Sequence, residues 1–324
     1  MPYIKAMQTC LLSDTTVIQP IRSVVTIGNF DGVHRGHQEL FRQVRERAVL
    51  ESARSVVVTF DPHPLRVLRP DDHHIQLITT QEQKQELIAQ SGIDLLLVIP
   101  FTLRFAALTA EQFVQEILVQ QLNACHLIVG HDYVFGRGRT GTRELLVALG
   151  KSHGFSVTAI DQVGERELIF SSSMVRQMVT AGHVEEASHI LGRPHQVVGQ
   201  VVPGRQIGRA LGFPTANIAP INELTPGDGV YAVFVRTRNG GRYQGACSIG
   251  TNPTFNGTTR SIEVFLLDHD EDLYGQEVRL DFIARLRGIE SFPTPEALMS
   301  QITHDVETTR RILSASDGTG VCGE

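Results

Sequence analysis

From about residue 22 to residue 160 the chain repeats one rhythm: a short apolar, largely β-branched run, then a stretch with helical spacing. The runs are Ser23–Gly28, Ser55–Phe60, Asp94–Ile99, His126–Gly130 and Phe155–Ile160. In the gaps Leu40, Phe41, Val44 and Ala48 recur with a period near 3.6, as do Phe113, Ile117 and Leu118. Strands that are apolar throughout are buried on both faces, so their alternation with helices predicts βαβ units, a parallel sheet and right-handed crossovers. Ligands of such sheets bind beyond the carboxyl ends of the strands.

After roughly residue 186 the rhythm changes to Gln196–Val202, Gly229–Arg238, Arg242–Ile249, Ser261–Leu267 and Glu277–Ile283, separated by Gly, Pro and Asn turns. This predicts an antiparallel β domain, a small barrel. A terminal helix follows over Pro295–Leu313, with Leu298, Ile302, Val306 and Ile312 roughly on one face. Residues 314–324, rich in Gly, Ser and Thr, read as disordered. At 324 residues the chain exceeds the usual single domain. The expected division is a first domain over 1–186, a second over 187–316 and a tail over 317–324.

With 41% hydrophobic and 20% charged residues the composition is that of a soluble globular protein, and a net charge of -6 argues against a general binder of nucleic acid or anionic membranes. Phosphate binding, if present, is local. Cys10, Cys125, Cys247 and Cys322 form neither a CxxC pair nor a zinc knuckle and read as reduced thiols. No secretory leader and no membrane-length apolar stretch stands out, so the expected location is the cytoplasm. The expected assembly is a monomer or weak oligomer.

The segment Val25-Thr-Ile-Gly-Asn-Phe-Asp-Gly-Val-His-Arg-Gly-His37 places a Gly-rich turn where the first strand meets a helix. Backbone N–H groups and the positive end of the helix dipole face an anion there, and Gly28, Gly32 and Gly36 let the backbone come close. His34 and His37, on one face of the first turn, can donate hydrogen bonds to a phosphoryl group under attack. The competing reading is an ordinary strand-to-helix turn with two unrelated histidines. Thr59-Phe-Asp-Pro-His-Pro64 ends the second strand on the same side; His63 either meets a phosphate or belongs to a stiff strand exit. Asp71-Asp72-His73-His74 fits a solvated loop better than a metal site, because adjacent side chains rarely converge on one ion. Gly136-Arg-Gly-Arg-Thr-Gly141 matches G-x-G-x-x-G, which would suggest a nicotinamide oxidoreductase. Asp132-Tyr-Val-Phe135 separates it from the preceding strand, however, and the dinucleotide fingerprint needs a strand turning straight into the helix.

Phe170-Ser-Ser-Ser-Met-Val-Arg176 supplies hydroxyls and a cation before a helix, either as an anion site or as a serine-rich cap. In the second half, Gly204-Arg-Gln-Ile-Gly-Arg-Ala-Leu-Gly-Phe-Pro-Thr-Ala-Asn217 brings Arg205 and Arg209 into a pliable loop and sets Thr215 and Asn217 two residues apart. Their neutral oxygens suit Mg²⁺, and a turn cluster is the alternative.

These strings together resemble one family. Gly-x-Phe-Asp-x-x-His-x-Gly-His resembles the nucleotidyltransferase signature of the bacterial bifunctional riboflavin kinase/FAD synthetase (FMN adenylyltransferase) family, and the Gly204–Asn217 block resembles its riboflavin kinase signature almost residue for residue. The resemblance runs over roughly residues 20–313 with the motifs in family order. It implies a Rossmann-like nucleotidyltransferase domain with a parallel sheet, followed by a small antiparallel β-barrel with a terminal helix. It also implies Mg²⁺ with ATP as co-substrate, and riboflavin, FMN and FAD as ligands; from the charge and hydropathy above, neither nucleic acid nor membrane is an expected partner. Riboflavin would be phosphorylated to FMN by the second domain, and FMN adenylylated to FAD and pyrophosphate by the first.

By the same resemblance Gly28, Phe30, Asp31, Gly36, His63, Ser172, Ser173 and Arg176 would hold ATP phosphates, with His34 and His37 catalytic. Asp132, in Val129-Gly-His-Asp-Tyr-Val-Phe-Gly136, becomes a substrate-binding candidate. Glu263, in Ile262-Glu-Val-Phe-Leu-Leu-Asp268, would be the base on the ribityl hydroxyl. Arg209, Thr254 and Arg287 fall in blocks that line the nucleotide or flavin site, and Thr215 and Asn217 would hold the metal. Three departures stand out: Ile169 replaces a frequent basic residue, Asn252 an arginine and Phe265 a histidine. A flavin-binding or regulatory protein that has lost one activity through Ile169 or Asn252 is the alternative.

Overall fold

A computed structural model describes residues 6–13, 18–71, 75–165, 168–204, 212–254, 257–269 and 273–318, without the side chains of 252–254, 257–259 and 317–318. It divides into two compact units, Met1–Gln76 with Gln81–Ser171, and Leu77–Thr80 with Ser172–Glu324.

The first unit holds β1 (Gln8–Leu11), β2 (Ser23–Ile27), β3 (Arg54–Asp61), β4 (Leu95–Pro100), β5 (Ala124–Gly130) and β6 (Ser156–Ile160). They form one sheet in the order β1-β4-β3-β2-β5-β6, every pair parallel. Alternate residues of the buried strands enter two different cores. Val25, Ile27, Val56, Val58, Leu95 and Leu97 face a layer containing Phe113, Ile117 and Leu118, from the helical stretch that starts at Ala110 and continues in π form over Val114–Gln121. Val24, Val57, Leu96 and Val98 face Leu40, Phe41, Val44 and Ala48 of the helix Arg35–Leu50. A parallel sheet covered on both faces is thus what the continuous apolar runs produce. Since β2 lies between β3 and β5, the strand order reverses at β2, and the crevice of such a sheet opens at its carboxyl end.

After a two-stranded ladder of β7 (Gly164–Glu165) and β8 (Leu168–Ile169), the second unit begins with the helices Ser172–Ala181 and Val184–Leu191. β9 (His195–Val202), β10 (Thr215–Pro220), β11 (Gly229–Thr237), β12 (Arg242–Thr254), β13 (Gly257–Leu266) and β14 (Glu277–Arg287) close a barrel in the order β10-β13-β12-β11-β14-β9, all antiparallel. Val197, Val201, Ile218, Val233, Val264 and Leu280 are among the side chains filling it. The terminal helix runs over Pro295–Gly318, past the Leu313 expected from sequence, and packs Leu313 against Ala232 and Phe234. Arg287 reaches it through an ion pair with Asp305, 2.8 Å at the shortest, and Gln301 Nε2 donates to the same carboxylate at 2.9 Å.

His195 is 1% exposed at the start of β9, its Nε2 at 3.3 Å from the Leu224 carbonyl. Burial pushes its pKa down to about 4, with Arg193 adding to the effect and the Leu224 carbonyl opposing it. The unfolded chain therefore takes up this proton first. The stabilisation is complete above about pH 6.5 and is lost as the pH falls toward the folded value. In urea unfolding at pH 7.5 and pH 5, the barrel should lose stability in acid, and His195→Gln should flatten that dependence; equal acid loss in the variant would contradict this.

Candidate active sites

At the carboxyl end of β2 the Gly28 N–H still pairs with the Val58 carbonyl at 3.1 Å, and the chain then bends sharply. Phe30, Gly32 and Val33 have φ of 48°, 81° and 42°. A left-handed conformation at non-glycine residues costs about 1–3 kcal/mol each, so packing must hold it. Phe30 is 2% and Val33 1% exposed. The Phe30 ring meets the edge of Phe41 at 4.9 Å and of His37 at 5.1 Å, and the Val33 carbonyl accepts from Gln38 Nε2 at 2.9 Å.

His34 is the N-cap of the helix Arg35–Leu50, and its ring stacks on that of His37 at 3.6 Å between centroids, 26° from parallel. The three-residue spacing thus puts both imidazoles together on the first turn. A Cβ on Gly28 would lie 2.9 Å from the Phe30 ring, and one on Gly36 would lie 3.1 Å from His34 Nδ1 and Cε1. The two glycines leave room for these rings. Asp31 is buried.

Two neighbours hold the start of this bend. Thr59 Oγ1 at 3.2 Å and Lys84 Nζ at 3.4 Å both donate to the Asn29 carbonyl. Lys84, on the helix Gln81–Gln90, is only 8% exposed. His63 accepts the Leu65 N–H on Nδ1 at 3.3 Å, capping the short helix Pro64–Leu68. Asp132 projects from the loop after β5 with its side chain 81% exposed. Beside it, burial raises the Tyr133 phenol above its ordinary value. Phe60, Phe101, Phe105, Phe113, Phe135 and Tyr133 form a continuous chain of ring contacts, with centroids 5.5–6.1 Å apart.

The G-x-G-x-x-G string has no dinucleotide geometry. β5 ends at Gly130, the glycines lie in a tight turn closed by a Phe135–Gly141 bridge, and a Cβ at Gly141 would lie 2.7 Å from the Phe135 ring.

Ser172, Ser173 and Arg176 occupy the first turns of the helix Ser172–Ala181, Ser173 exposed and the other two half-buried. Ile169, on β8, is exposed.

On the barrel, Thr215 and Asn217 belong to a strand, β10, rather than to a turn. Asn217 pairs across the ladder with Glu263, which pairs on its other side with Ser248. Ile262 and Val264 point into the core, so Glu263 points outward between them. Its carboxylate accepts from Thr215 Oγ1 at 3.4 Å and from Ser261 Oγ at 3.3 Å. Gly204 lies so close to the Asn217 amide that no side chain fits there. These are hard oxygen donors on one face, the chemistry Mg²⁺ takes. Among the described residues no cluster of His, Cys, Asp and Glu offers a different metal site.

Phe265 packs edge-on to Phe213 at 5.4 Å. Arg287 is occupied by Asp305 on the terminal helix. Arg209, Asp72, His73 and His74 lie outside the described residues, as do the side chains of Asn252 and Thr254.

A family model for FAD synthetase matches residues 18–174 and one for riboflavin kinase matches residues 191–313. The bifunctional riboflavin kinase/FMN adenylyltransferase of Escherichia coli strain K12 is 38% identical over 90% of this chain and 92% of its own, and that of Listeria monocytogenes 37% over 91% and 93%. The chain belongs to the bifunctional riboflavin kinase/FMN adenylyltransferase family. A crystal structure described as a macrolide-efflux protein from Streptococcus pneumoniae superposes with a TM-score of 0.85 at 33% identity, covering 93% of this chain and 98% of that one. Among the described residues, no helix is long and apolar enough to cross a membrane.

Within this family's architecture the FAD synthetase match contains the Gly28–His37 loop, and the riboflavin kinase match contains the whole barrel with Thr215, Asn217 and Glu263. Gly36→Ala separates the loop's function from its stability. Alanine in place of glycine favours a helix by about 1 kcal/mol, yet here its methyl presses on the His34 ring. We expect FAD formation to fall at least tenfold with unchanged riboflavin phosphorylation and no loss of thermal stability; undiminished FAD formation would show that the ring position is immaterial.

Proposed function

We propose that the two activities of the family are divided between the units, with adenylyl transfer at the Gly28–His37 loop and riboflavin phosphorylation on the outer face of β10 and β13. The observation that carries this reading is the stacked His34–His37 pair at a helix N-terminus beyond the strand where the sheet order reverses. In the first reaction an FMN phosphate oxygen attacks the α-phosphorus of ATP and pyrophosphate leaves. Charge develops on the α-phosphoryl oxygens, where two imidazole donors and the backbone N–H groups of the loop stabilise it. Gly28, Phe30, Asp31 and Gly36 shape that loop, and His63 stiffens its border. The ring wall around Phe60, Phe105 and Tyr133 suits the flat apolar part of a flavin, with Asp132 beside it for a polar group.

On the barrel Glu263 accepts the proton of the ribityl hydroxyl as that oxygen attacks the γ-phosphorus and ADP leaves. Thr215 and Asn217 would hold Mg²⁺, which neutralises the phosphate charge when bound. Thr215 and Ser261 keep the Glu263 carboxylate in place through the two hydrogen bonds described above. Arg209 and Thr254 are nucleotide or flavin contacts on the strength of their motifs. Arg287 is a further such contact by its motif, and its pairing with Asp305 also ties the terminal helix to the barrel. We place both reactions in the cytoplasm of a monomeric or weakly associating enzyme, with FMN released and rebound between sites and no nucleic acid or membrane as partner. Reduced thiols at Cys10, Cys125 and Cys247 accord with that compartment.

Incubation with riboflavin, Mg²⁺ and either α- or γ-labelled ATP tests this division. Label from γ-ATP should enter FMN and label from α-ATP should enter FAD. Glu263→Gln should lower FMN formation by about 10²–10⁴-fold and leave FAD formation from added FMN intact. Unchanged riboflavin, or loss of both steps in the variant, would contradict the assignment.

A further inference from the structure

The phosphate loop contains no lysine, yet a lysine reaches it from elsewhere. Lys84 extends from the helix Gln81–Gln90 to the Asn29 carbonyl at 3.4 Å, and is 8% exposed. A lysine is rarely buried to this extent without a purpose for its charge. The same carbonyl takes a second hydrogen bond from Thr59 Oγ1 on β3. In a trans peptide the carbonyl and the following N–H point in opposite directions. Two donors on the Asn29 oxygen therefore fix the plane of the Asn29–Phe30 peptide and turn the Phe30 N–H to the opposite side, at the residue where the chain enters its left-handed bend.

The loop also carries a buried carboxylate, Asp31, and the adjoining β3 ends in Asp61. Both lie near enough to Lys84 to favour its charged form. Without a cation among them, these carboxylates would repel a polyanionic nucleotide.

Resting on the adenylyltransferase reading above, we propose that Lys84 is a positioning residue of that site: it fixes the first peptide of the phosphate loop and balances Asp31 so that ATP can approach. Lys84 differs from a phosphate-gripping lysine in that its ammonium lies against the backbone of the loop. Its main influence is on ATP binding and less on the chemical step. Burial holds its pKa below the ordinary lysine value, while Asp31 and Asp61 oppose the shift. The protonated form is the competent one, so this contribution disappears as the pH rises.

The test uses the full-length enzyme and measures FAD formation from FMN and riboflavin phosphorylation in the same preparations of wild type, Lys84→Met and Lys84→Arg. Lys84→Met should raise the KM for ATP in FAD formation at least tenfold with a smaller change in kcat. Lys84→Arg, which keeps the charge, should stay within threefold and should lose the alkaline fall of kcat/KM expected of the wild type below the ordinary lysine range. Riboflavin phosphorylation should be unchanged in both. A Lys84→Met enzyme within twofold of wild type would overturn the inference, as would equal impairment of both variants, which would mark Lys84 as packing alone. A wild-type enzyme that makes FMN but no FAD would instead overturn the adenylyltransferase reading and this role with it.

Discussion

The first unit depends on one bend, the left-handed turn through Phe30, Gly32 and Val33 at the end of β2. Everything around it serves to hold it. The parallel sheet gives β2 its position at the reversal of strand order, Phe41 and His37 pack on Phe30, and Thr59 and Lys84 hold the carbonyl just before it. The bend delivers the chain to His34 as N-cap, so that a helix begins with two imidazoles at its positive end. If the bend relaxed, the histidines would separate and the N–H groups would no longer converge.

The second unit answers a different chemical need with different means. Its donors are side-chain oxygens on neighbouring strands, and their spacing comes from ladder register: Asn217 opposite Glu263, Thr215 two residues along the same face. A sheet offers such a row of oxygens at fixed intervals, which suits a phosphoryl transfer dominated by charge neutralisation and alignment. A helix N-terminus offers fixed N–H dipoles instead, which suits stabilising charge at the α-phosphorus. The proposed division thus uses different parts of the secondary-structure repertoire for attack at the α- and at the γ-phosphorus of ATP.

Much of this was legible where local pattern and tertiary environment agree. Leu40, Phe41, Val44 and Ala48 share one buried helical face as their spacing requires, and the five apolar runs of the first half are all strands of one parallel sheet. Besides the two-residue strands β7 and β8, two strands escaped. β1 is a half-polar edge strand, and β10 buries only Ile218 deeply, so neither carries the hydrophobic signal of a core strand. Pro214 and Gly212 beside Thr215 suggested a turn, and the pairing that makes β10 a strand comes from β9 and β13. Lys84 was invisible for a related reason: its partner is a backbone carbonyl 55 residues earlier, and no side-chain pattern announces it. The bidentate partner of Arg287, Asp305, likewise follows only from how the terminal helix docks on the barrel.

The central claim is that the stacked histidines serve adenylyl transfer alone. Reversal of that step, from FAD and labelled pyrophosphate to labelled ATP, isolates it from riboflavin phosphorylation. Label should appear in ATP with the wild type and with Glu263→Gln, and should fall by about 10²–10³-fold with His34→Ala. Undiminished labelling in His34→Ala, or its loss in Glu263→Gln, would contradict the account.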